Sequence, residues 1–156
     1  MKEAIFGAGC FWGVEYKFSQ LAGVIETKVG YAAGETSNPN YKEVCTDTTG
    51  HAEVVWLKYD ESQISYDELL FAFFNMHDAT QLNRQGPDVG SQYRSIIIAT
   101  DEEQKKAALN KIDELNDQKV DDQKVVTVVN DICKFFEAEE YHQKYLEKKG
   151  VSSCKI

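Results

Sequence analysis

A cysteine near the start of the chain lies in a setting that suits chemistry. Residues 7–13 read GAGCFWG, so small residues precede Cys10 and two aromatic residues follow it. A short strand is predicted over residues 2–6, and after Cys10 apolar residues recur at helical spacing. The sequence therefore predicts Cys10 at the N-terminus of a helix, where the helix dipole and unpaired N–H groups favour a thiolate. The alternative is a cysteine that acts as a small buried hydrophobe.

A carboxylate in an apolar setting is the second unusual feature. Glu53 stands at the head of the run AEVVWLKY, residues 52–59, which is apolar on both faces and typical of a central strand. If Glu53 is desolvated there, its pKa rises toward neutral, and the side chain becomes a proton donor near pH 7. The alternative is a glutamate at a strand end that points to water.

These two residues must be positioned by a fold that mixes strands and helices. Further strands are predicted over residues 24–31, 52–59, 94–99 and 125–130. Helices are predicted between Cys10 and Gly23, from a capping box at 65–68 to about residue 77, from a second box at 100–103 to about residue 115, and over 138–149. Residues 32–43 and 78–93 are predicted as loops, and 151–156 as an irregular C-terminal tail. This order predicts a single α+β domain over residues 1–156, with helices packed on one sheet.

Charge and hydropathy exclude several classes of function. The formal net charge is −9 and the arginines are only Arg84 and Arg94, which argues against nucleic acid and anionic membranes as partners. No apolar run approaches the roughly 20 residues that span a membrane, and the start of the chain does not look like a signal peptide. We therefore expect a cytoplasmic monomer, in a compartment where thiols stay reduced.

The cysteines and glycines predict no bound cofactor. The four cysteines lack the spacing of metal ligands, and GAG at residues 7–9 lacks the third glycine of a phosphate-binding loop. Neither a metal nor a nucleotide is therefore expected. Cys45 and Cys133 are interpreted as buried thiols in apolar surroundings.

Four separated motifs occur in the order typical of one known family. They are GCFWG at residues 9–13, GYAAG at 30–34, GHAEVV at 50–55 and QGPDVGSQYRS at 85–95. Together they resemble peptide methionine sulfoxide reductase A, and the resemblance covers essentially the whole chain. It implies a two-layer α+β sandwich with a mixed sheet. It also implies thiol-dependent reduction of the S epimer of methionine sulfoxide, free or in proteins, with thioredoxin, or dithiothreitol in vitro, as the external reductant.

The resemblance assigns the chemical steps to particular residues. Cys10 matches the nucleophile that attacks the sulfoxide sulfur, and Glu53 matches the acid that protonates the sulfoxide oxygen. Tyr41 and Tyr93 match hydroxyl donors to the same oxygen. Cys154 matches a resolving cysteine, which condenses with the sulfenic acid left on the nucleophile to form a disulfide.

Substrate binding is implied for three more residues. Phe11 and Trp12 match aromatic residues of a hydrophobic pocket for the methyl group, and Asp88 matches a residue that binds the substrate backbone. Two stretches depart from the family pattern. Residues 77–79 are His-Asp-Ala where His-Asp-Pro is expected, and Val-Ser-Ser precedes Cys154 in place of a more glycine-rich or aromatic sequence.

Two other classes of function remain open from the residues alone. A hydrolase with a cysteine nucleophile would need a histidine base, for which the chain offers His51, His77 and His142, although no local motif places one beside Cys10. We interpret these histidines as structural hydrogen-bonding groups. A non-catalytic module that binds methionine-containing peptides would leave Glu53 and the C-terminal thiol unexplained.

Overall fold

The computed structural model describes residues 1–119 and 123–150, so Cys154 and the tail predicted over 151–156 lie outside the described residues. The strands are β1 (Lys2–Ala8), β2 (Val24–Ala32), β3 (Ala52–Tyr59), β4 (Arg84–Gln85), β5 (Asp88–Val89), β6 (Ser95–Ile98), β7 (Val128–Asn130) and β8 (Phe135–Glu137). The helices are α1 (Phe11–Ser19), α2 (Tyr41–Val44), α3 (Tyr66–Asn75), α4 (Glu102–Asp117) and α5 (Tyr145–Lys148), with 3₁₀ turns at Ser91–Tyr93 and Glu140–His142.

Six of the strands form one mixed sheet in the order β7-β6-β1-β3-β2-β8. The neighbours are antiparallel except β6 and β7, which run parallel. The two-residue strands β4 and β5 form a separate hairpin. Because β1 lies between β3 and β6, the chain that leaves β1 toward Cys10 starts from the middle of the sheet.

The core shows why the helices cover one face of this sheet. Alternate strand residues such as Phe6, Val55 and Leu57 pack against the apolar stripes of α1, α3 and α4 in one buried cluster. The opposite face carries a smaller cluster that includes Ile5 and Val54. The predicted α+β fold, a mixed sheet with helices packed on it, is therefore confirmed.

Several predicted boundaries need correction. Residues 32–43 were expected to be a loop, but a short helix, α2, begins at Tyr41 behind an Asn40–Glu43 capping box. The predicted box at 100–103 is shifted by one residue, because Asp101 caps α4 and accepts a hydrogen bond from the Gln104 N–H. Strand β7 begins at Val128 rather than at residue 125, and β8 was not predicted.

The helix predicted over 138–149 is wrong, and side-chain hydrogen bonds explain why. The Gln143 side-chain amide bonds to both the N–H and the carbonyl of Val29, and so takes the place of a strand partner beside β2. Lys144 has the left-handed φ of 54°, and its N–H donates to the buried carboxylate of Glu15 at 2.8 Å. A helix cannot continue through a left-handed residue whose N–H is engaged elsewhere, so residues 138–148, here called the C-terminal segment, fold as a 3₁₀ turn followed by α5.

The two additional cysteines differ from one another in burial. Cys133 is half-buried against the smaller cluster, but Cys45 is exposed at the C-terminal end of α2, so its predicted burial is wrong. The α2 turn ends at Cys45, and its side chain makes a hydrogen bond with the phenol of Tyr41 in the same turn. Among the helices of the described residues, none combines the length and the apolar character that crossing a bilayer requires.

Candidate active site

Cys10 lies at the N-terminus of a helix, as predicted. Strand β1 ends at Ala8, Gly9 turns the chain with a φ of 100°, and half-buried Cys10 is the N-cap residue of α1. A side chain at Gly7 could not be accommodated, because its Cβ would lie 2.9 Å from the Glu53 carbonyl oxygen and 2.6 Å from Ile96 Cγ2. The strand that leads to the cysteine therefore packs closely against the start of β3.

Glu53 is buried beside this helix N-terminus. Its side chain is 1% exposed, and Oε1 accepts a hydrogen bond from the N–H of Phe11, the residue after Cys10, at 3.2 Å. Burial raises the pKa of Glu53 to about 8, against the lowering effect of the Phe11 N–H and with a smaller raising effect from the Asp88 charge. The predicted desolvation is confirmed, and the carboxyl is protonated at neutral pH.

The second carboxyl oxygen of Glu53, Oε2, is the one that can carry this proton toward a substrate. Oε2 is buried and has no hydrogen-bond partner among the described residues. Buried polar atoms in native structures are almost always satisfied, so an exception calls for an explanation. A protonated carboxyl with one oxygen fixed by the backbone and the other unengaged can donate to a substrate atom.

Two phenols share the electrostatic surroundings of this carboxyl. Tyr41 is the first residue of α2 and Tyr93 closes a 3₁₀ turn. Burial is the main cause of the raised pKa of each, and the Glu53 charge raises both further. The Cys10 charge adds a smaller effect at Tyr93. Both hydroxyls therefore stay protonated and can act as hydrogen-bond donors near the carboxyl, and the Tyr41 hydroxyl makes a hydrogen bond with the Cys45 side chain.

Asp88 belongs to the same surroundings. It lies half-buried in the β4–β5 hairpin, and its charge raises the pKa of both Glu53 and Tyr93. The residues 78–93 predicted as a loop thus contain an ordered hairpin. The hairpin is tied to the preceding chain by the buried Gln85, whose amide bonds to the N–H and the carbonyl of Asp78.

The two aromatic residues after Cys10 occupy different environments. Phe11 is 1% exposed, and its ring packs against those of Tyr31, Tyr41 and His142. Trp12 is only half-buried and lies against the C-terminal segment. Only Trp12 of this pair therefore presents a surface to a bound molecule, whereas Phe11 supports the site from within the core.

Residues of the C-terminal segment hold Trp12 in place. The indole ring stacks on Tyr145 with ring centroids 3.8 Å apart, and the indole N–H donates to Nδ1 of His142 at 2.9 Å. In the same segment, Glu139 accepts a hydrogen bond from the Tyr41 N–H. The sequence predicted these residues only as part of a helix over 138–149, because a pattern of residues does not show which distant ring each one contacts.

The histidines are engaged in structural contacts. Both ring nitrogens of His51 and of His77 make hydrogen bonds, to Gly34 and Thr36 and to Phe73 and Ser95 respectively. His142 uses Nδ1 to accept from the indole, and its buried Nε2 has no hydrogen-bond partner among the described residues. No histidine in residues 1–119 and 123–150 therefore acts as a hydrogen-bonded base for Cys10, which disfavours the hydrolase.

The described residues contain no cluster of three histidine, cysteine or acidic side chains arranged to hold a metal ion. What they bring together is a thiol at a helix N-terminus, a buried protonated carboxyl and two protonated phenols. An α+β fold with this site belongs to the class of cysteine-dependent enzymes that attack a substrate needing a proton as it reacts.

Comparison with known proteins identifies the family within this class. The family model described as peptide methionine sulfoxide reductase matches residues 2–156. The peptide methionine sulfoxide reductase MsrA of Acidobacterium capsulatum is 52% identical over 156 residues, which is 100% of both chains. This chain therefore belongs to the peptide methionine sulfoxide reductase A family, and it is an enzyme of thiol-dependent methionine sulfoxide reduction.

Solved structures agree with this assignment. The reduced form of Mxr1 from Saccharomyces cerevisiae superposes with a TM-score of 0.87 at 37% identity, covering 96% of this chain and 86% of the yeast chain. Mxr1 in complex with Trx2 superposes with a TM-score of 0.65 at 27% identity, covering 92% and 84%.

Proposed function

We propose that this enzyme reduces the S epimer of methionine sulfoxide, free or in proteins, with Cys10 as nucleophile and Glu53 as proton donor. The observation that carries the proposal is the hydrogen bond from the Phe11 N–H to Glu53, which sets a protonated carboxyl beside the residue that follows the thiol. The choice of epimer follows from the MsrA relatives, since each methionine sulfoxide reductase class acts on one epimer.

The reductase step needs a thiolate and a proton at the same time, because the sulfoxide oxygen is a poor leaving group until it is protonated. The Cys10 sulfur attacks the sulfoxide sulfur while Glu53 transfers its proton to the oxygen. The hydroxyls of Tyr41 and Tyr93 stabilise the charge that develops on that oxygen. The attack forms a bond between the two sulfur atoms, and the substrate oxygen, now a hydroxyl, passes to the Cys10 sulfur as this bond and the substrate sulfur–oxygen bond break. Methionine leaves, and Cys10 is left as a sulfenic acid that carries the oxygen and the proton.

Substrate binding is assigned to Phe11, Trp12 and Asp88. The half-buried Trp12 ring is the apolar wall for the methyl group, and the buried Phe11 ring supports this side of the site by packing against Tyr41 and His142. The Asp88 charge raises the pKa of Glu53, so this half-buried acidic group lies near the carboxyl and suits a contact with the backbone N–H of a bound residue.

Cys154 is proposed to resolve the sulfenic acid. Helix α5 packs against Trp12 through Tyr145, so the chain leaves its last described helix beside the active site. From Gly150, four residues span at most roughly 14 Å, and a disulfide needs Cα atoms within about 7 Å. The Cys154 thiol then displaces water from the sulfenic acid and forms a disulfide with Cys10.

Thioredoxin is the proposed reductant of this disulfide. The yeast relative is described in complex with Trx2, and exchange with an external dithiol returns both cysteines to the thiol form. The reaction needs no bound cofactor, since the dithiol supplies both electrons. We also propose that the chain acts as a single-domain monomer in the cytoplasm, where such dithiols are kept reduced.

The test is an assay on separate S and R epimers with dithiothreitol, followed by peptide mapping. We expect methionine from the S epimer alone, and a Cys10–Cys154 bridge after one turnover without reductant.

The Cys154→Ser variant should release about one methionine per enzyme molecule and then stall with thioredoxin. A bridge from Cys10 to Cys45 or Cys133, or normal cycling of the variant with thioredoxin, would reject Cys154. Binding without methionine release would instead support a peptide-binding module.

A further inference from the structure

Glu139, in the C-terminal segment, joins three elements through one carboxylate. Its Oε1 accepts a hydrogen bond from the Tyr31 hydroxyl of β2 at 2.9 Å. Its Oε2 accepts from the backbone N–H of Tyr41, the first residue of α2, also at 2.9 Å. Tyr41 carries one of the two phenols proposed to face the sulfoxide oxygen, so this carboxylate is bonded directly to the backbone that carries a reacting-site donor.

Helix α2 depends on such outside support. It has a single turn, Tyr41–Val44, and an isolated turn of this length is unstable because nucleation fixes several residues for one hydrogen bond. The Asn40–Glu43 capping box satisfies the N–H groups of those two residues but not that of Tyr41. The first N–H groups of a helix have no intrahelical acceptor, and Glu139 supplies the acceptor for Tyr41 from 98 residues away.

The charge state of Glu139 suits this role. Partial burial by itself would raise its pKa. The hydrogen bonds from the Tyr41 N–H, from its own N–H and from the Tyr31 hydroxyl, with a smaller effect of His142, together outweigh burial and lower the pKa of Glu139. The group therefore stays ionised at neutral pH. An ionised carboxylate accepts from two donors at once, and such charge-assisted bonds are the stronger and more directional ones.

We propose that Glu139 is a positioning residue for the reductase step, which fixes the backbone of Tyr41 so that its hydroxyl stays directed at the sulfoxide oxygen. Glu139 acts through Tyr41 and belongs to a different element from any residue assigned to the chemistry. The inference rests on the role proposed above for the Tyr41 hydroxyl, and the experiment below separates the two.

The experiment measures single-turnover methionine formation for Glu139→Ala in the parent and in a Tyr41→Phe background. We expect the rate to fall about tenfold in the parent, because bonds to a charged acceptor are lost. The Tyr41→Phe background has no hydroxyl to misplace, so there we expect Glu139→Ala to lower the rate by less than about twofold. Glu140→Ala is the matched control, since Glu140 is the adjacent residue and its side chain is 91% exposed.

A rescue variant distinguishes positioning from charge. In Glu139→Gln the amide oxygen can still accept from the Tyr41 N–H while its NH₂ donates to the Tyr31 hydroxyl, so we expect a rate within about threefold of the parent. Thermal melting confirms that each variant is folded, and Glu139→Leu, of similar volume, replaces the alanine variant if that one unfolds.

Two results would overturn the inference, and they point to different errors. An equal loss from Glu139→Ala in both backgrounds would show that Glu139 acts on the rate independently of the Tyr41 hydroxyl, and would leave the proposed role of Tyr41 intact. A parent-like rate for Tyr41→Phe alone would reject the hydroxyl itself as a donor, and the positioning role of Glu139 with it.

Discussion

The two sides of the active site are held by different kinds of interaction. Cys10 and Glu53 are set by main-chain structure, since β1 pairs with β3 and with β6 and the Phe11 N–H bonds directly to Glu53. Trp12 and Tyr41 are set by side chains of the C-terminal segment, since Trp12 contacts His142 and Tyr145 and the Tyr41 N–H bonds to Glu139.

This difference predicts how each side responds to mutation. A ladder of backbone hydrogen bonds is collective, so a side-chain substitution leaves the positions of Cys10 and Glu53 unchanged and removes only the chemistry of the group replaced. One or two side-chain contacts have less redundancy than such a ladder, so substitution in the C-terminal segment displaces a functional residue without changing that residue. Mutations on the first side should therefore alter the rate of the chemical step, and mutations on the second side should alter binding or alignment.

The largest effect is expected at the thiol. Cys10→Ser should abolish methionine formation from the sulfoxide while the far-ultraviolet circular dichroism and the melting temperature remain those of the parent. The hydroxyl of serine is a far poorer nucleophile than a thiolate and cannot store the oxygen as a sulfenic acid. Methionine production by the folded variant at a comparable rate would remove Cys10 from the mechanism.

Glu53→Gln should have the next largest effect, and on the rate rather than on binding. Glutamine retains the shape and the acceptor for the Phe11 N–H but has no acidic proton, and loss of general acid catalysis typically costs about 10²–10⁴-fold. Single-turnover kinetics measure this directly. Glu26→Gln is the matched control and should behave as the parent does, because Glu26 lies in β2 opposite Lys58, at the other end of the β2–β3 pair from Glu53. A rate for Glu53→Gln close to that of the control would exclude Glu53 as the acid.

The smallest effect is expected at Tyr145, on the side of the active site that side chains of the C-terminal segment hold in place. Tyr145→Leu keeps an apolar side chain beneath Trp12 but removes the ring stack, which is worth about 0.5–1.5 kcal/mol. We expect KM for methionine sulfoxide to rise about two- to tenfold with kcat almost unchanged, because the indole wall is loosened while the thiol and the acid remain in place. A fall in kcat at constant KM would mean that the two sides are not separable.

The same division explains how much could be predicted from the sequence. The strand-to-helix junction at Cys10, the central strand with a buried Glu53 and most of the sheet follow from local periodicity and glycine placement. These features depend on residues close together in the chain. The family resemblance then supplied Tyr41 and Tyr93 as candidate donors, which periodicity alone does not indicate.

The C-terminal segment could not be predicted in this way. Its helical pattern is real, but Gln143 bonds to Val29 and the Lys144 N–H to Glu15, partners more than a hundred residues away. Long-range side-chain bonds of this kind override local propensity, and no pattern within residues 138–149 encodes them. For the same reason the contacts of Glu139 and His142 with the active site became visible only in the folded chain.

The central claim is that Glu53 is a protonated acid at neutral pH. Because its pKa is raised from 4.5 to about 8, the carboxyl is protonated below that value and ionises as the pH rises through it. Because the reductase step uses this proton, its rate in the parent should fall as the pH rises above about 8. The pH–rate profile of Glu53→Gln should show no such fall.

Infrared difference spectroscopy between the parent and Glu53→Gln tests this claim most directly. Ordinary carboxyl groups are ionised above about pH 6, so a protonated-carboxyl C=O stretch that persists at pH 7 reports a group with a raised pKa. We expect this band in the parent at pH 7, its loss as the pH passes through about 8, and its absence from the variant at every pH above 6. A parent spectrum that shows only the carboxylate bands at pH 7 would contradict the account.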